Sequence, residues 1–131
     1  MADDLAPFPD IEDVLVRALA DFGTCGTVTP ADLQHQLPFV RPRRLGGGGG
    51  KVTDGPRVDI DVTARTRAEA MFIARAVQQR LLSGPLHVPA AGIIDRAVTE
   101  MGPHEVPADD PHLRRVVATY RLAARRLTTA P

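Results

Sequence analysis

The chain has little of most residue types that carry chemistry. Cys25 is its one cysteine, which excludes an internal disulfide and a thiolate metal cluster and reads as the product of a reducing cytosol. Tryptophan is absent and Tyr120 is the single tyrosine, so a stacking platform for single-stranded nucleic acid is not expected. No apolar run approaches the ~20 residues that span a bilayer, and the acidic opening Met1-Ala2-Asp3-Asp4 is the reverse of a basic secretory leader. Synthesis in the cytoplasm and no membrane partner are therefore expected. Charge of one sign is also missing: 16 basic residues meet 16 acidic ones, and no global field draws the chain to nucleic acid or lipid. Lys51 is the only lysine, so nearly every cation is an arginine, suited to planar bidentate contacts and interfaces. Any electrostatic role must be local.

What is present is enough for one domain. At 131 residues, folding buries roughly two-thirds of the unfolded surface, enough for one ordinary core. Ile11, Val14, Leu15, Ala18, Leu19 and Phe22 recur at helical spacing after Pro9 and Asp10 and stop at Gly23. Asp10, Glu12 and Asp13 crowd the first turn, where the helix dipole favours negative charge. Residues 24–36 are rich in turn formers, with the makings of a short helical turn carrying Leu33 after Thr29-Pro30-Ala31-Asp32. Residues 37–45 read as a strand in which Pro38 and Pro42 cannot donate to a ladder, which suits an edge or irregular strand. Residues 46–55, opening on five glycines, read as a flexible connection. Val58, Ile60 and Val62 then alternate with Asp59, Asp61 and Thr63, a strand with one buried and one wet face.

Thr66-Arg67-Ala68-Glu69 is a capping-box pattern opening a second helix. Ala70, Ile73, Ala74, Val77 and Leu81 mark its apolar face, and Gly84-Pro85 ends it. Two extended stretches follow, 92–101 and 113–126, joined by a proline-punctuated connection over 102–111. In the second, Val116, Ala118, Tyr120 and Leu122 share a face opposite Val117, Thr119, Arg121 and Ala123. An alanine-rich helix is the alternative there, but the β-branched and aromatic run favours a strand. The expected fold is α/β in the α+β sense: an antiparallel or mixed four-stranded sheet with two helices on one face, in the order α-β-β-α-β-β. A single domain would hold a folded core over 8–126 and a short tail over 127–131.

Patterns that suggest chemistry fail on inspection. The glycine run ending in Lys51 lacks the first glycine of a phosphate-binding loop, since Leu45 stands there. Val52 replaces the hydroxyl residue, and a strand follows where a helix is needed. His104, Glu105, Asp109, Asp110 and His112 are metal-ligand types, yet Asp-Asp-Pro commonly makes turns and no second histidine sits at helical ligand spacing. His35 and His87 read as surface loop residues. Cys25 has no histidine near it in sequence and reads as an incidental or buried thiol. No catalytic, metal or cofactor residues are assigned, and an enzyme is not expected.

The arginines are the remaining candidates. Arg41, Arg43 and Arg44 form one group, Arg114 and Arg115 a second, and Arg121, Arg125 and Arg126 a third. Solvated strand faces are the default; the functional reading is that they meet acidic surfaces of neighbouring subunits, or DNA passing nearby.

Several short segments, in order, resemble the tail terminator proteins of long-tailed (siphovirus-type) phages of actinobacteria. They are Phe8-Pro9-Asp10-Ile11-Glu12, Leu37-Pro38-Phe39-Val40-Arg41, Arg57-Val58-Asp59-Ile60-Asp61-Val62, Gly92-Ile93-Ile94-Asp95, Gly102-Pro103-His104-Glu105, Asp110-Pro111 and Val116-Val117-Ala118-Thr119-Tyr120. The resemblance implies a non-enzymatic virion subunit at the head-tail junction, forming a ring, usually of six copies, that caps the tail tube and joins the head-side connector. The partners implied are further copies of the chain, the tail tube protein and the connector protein, with DNA passing through unread. On that reading the sheet edge and the last-strand arginines Arg114, Arg115, Arg121 and Arg125 serve lateral contacts, and Arg41, Arg43 and Arg44 meet a neighbouring subunit or partner. The 46–55 segment with Lys51 orders on a partner, and Glu105, Asp109 and Asp110 face an axial interface. A neck or head-completion protein is an alternative of the same class, and a nucleic-acid-binding module is one of another class.

Overall fold

The computed structural model describes residues 8–49 and 53–125. The first helix, α1 (Ile11–Ala18), starts where the Asp10 side chain accepts the Glu12 N–H at 3.0 Å, satisfying one of the donors a helix start leaves open. Its predicted span to Phe22 divides in two, because a 3₁₀ turn over Ala20–Phe22 replaces the last helical turn. Gly23 then turns the chain at φ 148°, where a Cβ would lie 2.6 Å from the Pro38 carbonyl oxygen. That close approach lays β1 (Thr24–Cys25) parallel to the start of β2 (Phe39–Gly49). Between them the expected short helical turn is a 3₁₀ turn over Leu33–His35.

β2 and β3 (Thr53–Ala64) form an antiparallel hairpin whose pairing runs past the last apolar residues: Gly46 faces Arg57, Gly48 faces Gly55 and Gly49 faces Asp54. This corrects the reading of 46–55 as a flexible connection for residues 46–49 and 53–55; residues 50–52 lie outside the described residues. Leu45 is the extra residue of a bulge, and Gly46 and Gly47 adopt φ of 116° and 95°, which side chains rarely take. A Cβ at Gly47 would collide with the Gly55 carbonyl oxygen, so the glycines serve close hairpin packing. Beyond the bulge, Arg44 grips the buried Asp54 with two bonds of 2.8 and 3.1 Å. Lys51 lies outside the described residues.

α2 (Arg67–Leu82) is capped as its sequence implies, the Thr66 hydroxyl accepting the Glu69 N–H at 3.1 Å. The reciprocal half of the box is missing: among the described residues the Glu69 carboxylate makes no hydrogen bond or ion pair. Ala70, Ile73, Ala74, Val77 and Leu81 are buried, the apolar face read from the sequence.

The third part of the chain holds β4 (Leu86–Val88), β5 (Gly92–Val106) and β6 (Arg114–Arg125). β5 does not end at Met101 but runs through Gly102 and Pro103, because its pairing with β6 breaks between Met101 and His104 and resumes after it. A proline costs no ladder bond at such a break. The expected 102–111 connection therefore shrinks to residues 107–113.

Among the described residues the sheet has six strands, not four, in the order β1-β2-β3-β6-β5-β4, and it curls as a half-barrel. Of the expected antiparallel or mixed sheet the second holds, since β1 runs parallel to β2; the two helices hold, and the chain order is α-β-β-β-α-β-β-β in place of α-β-β-α-β-β. The additions are the two-residue β1 and three-residue β4, too short for a period of two to mark them as strands. The even-numbered residues of β3 and β6, among them Val58, Ile60, Val62, Val116, Ala118, Tyr120 and Leu122, form one buried cluster with both helices. Arg80 ties the helices together, donating to the Ala18 carbonyl at 3.1 Å with its guanidinium 4.8 Å from the Phe22 ring centre.

Candidate functional site

With both helices on one face, the opposite face of the sheet is open, and the strand alternation decides what it presents. Odd-numbered residues of β3 and β6 point there: Arg57, Asp59 and Asp61 beside Arg115, Thr119, Arg121 and Arg125. They form a lattice of ion pairs. Arg43 reaches Asp59 at 3.5 Å, and the Thr119 hydroxyl donates to the same carboxylate at 2.7 Å. Arg115 bonds Asp61 through Nε at 2.7 Å, and that bond raises its already high pKa. Arg125 bonds Asp95 at 2.8 Å. Arg57 and Arg121 each take one oxygen of Glu100, at 2.6 and 3.1 Å; Arg121 above all, then Arg57, holds that carboxyl below its ordinary range. Between these pairs Val98 and Met101 stand exposed at 50% and 56%.

The sequence groups of arginine are split by this geometry. Of the first, Arg43 lies in the lattice, Arg44 turns to the helix side to hold Asp54, and Arg41 donates to the Thr27 carbonyl at 3.0 Å, having no carboxylate partner among the described residues. Of the second, Arg115 joins the lattice while Arg114 bonds Glu105 at 3.1 Å. Arg121 and Arg125 both join the lattice, on a strand in the middle of the sheet and so on its face rather than its rim; Arg126 lies outside the described residues. The acidic partners Asp59, Asp61, Asp95 and Glu100 were not singled out by sequence. Their signal was present only for the first two, in the Arg57-Val58-Asp59-Ile60-Asp61 alternation.

The three acids expected at one axial surface have separate settings. Glu105 sits in β5 between Arg114 and Arg67, the latter at 3.5 Å. Asp110 accepts the His112 N–H at 2.9 Å, which lowers its pKa and closes a turn. Asp109 is exposed on the 107–113 loop. His104 bonds the Gly102 carbonyl at 2.8 Å, and among the described residues no three His, Cys, Asp or Glu side chains gather as a metal would need. His35 is exposed in its 3₁₀ turn; His87, read as a loop residue, is exposed in β4. Burial pushes the Cys25 thiol up to about 11, so it is protonated at neutral pH.

The two rims of the sheet differ. On the β2 side, β1 covers Phe39 and Val40, Pro42 lacks a donor, and the Glu12 carboxylate takes the Arg44 N–H at 2.8 Å, so this edge is blunted against further pairing. On the other side β4 pairs only with Gly92–Ile94 of β5, and residues 95–106 have no outer neighbour among the described residues.

One recess interrupts the open face. The loops at 29–34 and 108–110 wall a hollow of about 380 Å³ at the end of β2, β3 and β6. Phe39, Leu113 and Thr63 are buried at its base, with Arg41, Asp61 and Arg115 around them.

A family model described as phage tail termination protein matches residues 7–131. Among solved structures, a chain from the virion of a native gene transfer agent particle superposes with a TM-score of 0.53 at 17% identity, covering 86% of each chain, a likeness of fold. No curated protein matches by sequence.

Proposed function

We propose, from the premise that the chain belongs to the phage tail termination protein family, that copies of it close into a ring, of six subunits, at the head-proximal end of a tail. Its role is that of a structural tail terminator. In the finer reading the ring caps the tube of a long-tailed, siphovirus-type phage of actinobacteria and joins it to the head-side connector. DNA passes through without being read, and no reaction is catalysed.

The observation that carries this reading is the family match along nearly the whole chain. The fold supports it physically. A ring needs two different surfaces per subunit that meet head to tail and close by rotation, and this subunit has a helix-covered back and an open, ion-paired front. Because most front-face arginines already hold carboxylates of their own chain, the lattice stiffens the face and leaves few charges free to attract DNA unspecifically. Of the two rims, only that of β5 is left open to a partner among the described residues, since the β2 rim is blunted.

The test is the mass of the purified protein by light scattering at several concentrations, alone and with its tail tube protein. A closed ring, or tube growth that stops on addition, is the expected result. A monomer that ignores the tube and binds connector or DNA would overturn the reading.

A further inference from the structure

α2 carries a feature its amphipathic pattern does not explain. Phe72 is 75% exposed, well off the face that Ala70, Ile73, Ala74, Val77 and Leu81 bury. Its neighbours one turn away on either side are Glu69 and Arg75, both exposed, whose side chains make no hydrogen bond or ion pair among the described residues. A large apolar side chain is thus flanked by one free acid and one free base, in a molecule that pairs most of its other charges internally. The recess on the opposite face has the inverse character. Its base is apolar through Phe39 and Leu113; Arg41, which among the described residues has no carboxylate partner, stands on one side, and exposed Asp109 on the other.

We infer that Phe72 of one copy seats in the recess of a second copy, with Glu69 meeting Arg41 and Arg75 meeting Asp109. This rests on the ring reading and names the contact that builds the ring. The hollow of about 380 Å³ exceeds what one phenyl side chain fills. The charge pattern sets a single orientation, since the reversed one would place like charges together. The contact joins the back of one subunit to the front of the next, so it is heterologous, the type that propagates around a ring. Both patches lie at the same end of the strands: Thr63 lines the recess, β3 ends at Ala64, and α2 begins at Arg67. Successive copies therefore join with little shift along the strands, which favours closure over a rising helix when the strands run along the ring axis.

The test is a charge-swap cycle on the full chain, read by light scattering alone and with the tail tube protein, with melting curves to confirm that each variant folds. Glu69→Arg and Phe72→Asp change exposed side chains that make no hydrogen bond or ion pair among the described residues, so both are expected to fold. Each is expected to weaken self-association about tenfold or more, as is Arg41→Glu, and the Glu69→Arg/Arg41→Glu double variant is expected to recover most of the loss. Wild-type self-association that Glu69→Arg and Phe72→Asp leave unchanged overturns this contact while the ring stands. The contact also falls if the double variant is no better than the singles. If Glu69→Arg abolishes tube capping but not self-association, the occupant is the tube protein and the inference is wrong. A wild type that neither self-associates nor caps the tube sinks the ring reading itself.

Discussion

Arg57 and Arg121 stand directly opposite each other across β3 and β6, like charges in register on the open face. Such a pair is repulsive on its own. β5 resolves it by shifting register between Thr99 and Met101, which puts Glu100 where each of its oxygens takes one guanidinium. Replacing Glu100 with Gln should therefore lower the melting temperature at neutral pH by an amount that shrinks as salt is added. Because the folded pKa of Glu100 is depressed, its stabilisation is fully present above the ordinary carboxylate value and is lost as pH falls through the folded value. Wild type and Glu100→Gln should converge in acid; a constant gap down to pH 2 would show that the carboxylate charge is not what matters.

Tyr120 is fully buried on the inner face of β6, and among the described residues its hydroxyl has no hydrogen-bond partner. An unsatisfied buried donor costs about 1–3 kcal/mol. Tyr120→Phe should thus be neutral or stabilise by about 1 kcal/mol in urea titration, whereas Tyr120→Ala should cost about 3–5 kcal/mol through the cavity left behind. A large loss in the phenylalanine variant would mean the hydroxyl is bonded in solution.

Arg44 holds Asp54, whose side chain is only 8% exposed, against 32% for its own. Arg44→Ala leaves a nearly buried carboxylate alone, at a cost of about 2 kcal/mol after allowance for the solvent that reaches the arginine. The loss should be local first, with amide exchange quickening at 46–49 and 53–55 before the centre of the sheet. Uniform quickening across the domain would contradict a local anchor.

Cys25 is the simplest chemical probe. With its thiol near 11, alkylation at pH 7–8 should be many-fold slower in the native protein than in denaturant, and should quicken as pH approaches that value. Equal native and denatured rates would show that the thiol is neither buried nor shifted.

Much of this architecture is legible in local pattern. The period of Val58, Ile60 and Val62, the spacing of Ile73, Ala74, Val77 and Leu81, and the caps Asp10 and Thr66 depend on neighbours within a few residues, and both helices and all four long strands follow from them. β1 and β4 did not, because strands of two and three residues exist only through the partners they borrow. The glycine run shows the same limit from the other side: its composition matches a flexible linker, and only pairing with residues 53–57 and the Arg44–Asp54 anchor make it a strand.

The site was less legible for the same reason. Composition indicated a small chain rich in arginine, and the arginines were visible as runs along it. Which of them are spent internally depends on register across β2, β3, β6 and β5, so Arg43 and Arg44, adjacent in sequence, face opposite sides of the sheet and hold different acids. Side-chain type and spacing were enough for the two helices, the four long strands, their buried faces and the balance of charge. Which charges remain free, and where an exposed Phe72 and an apolar recess lie, follow from the fold, because they depend on contacts between residues far apart in the chain.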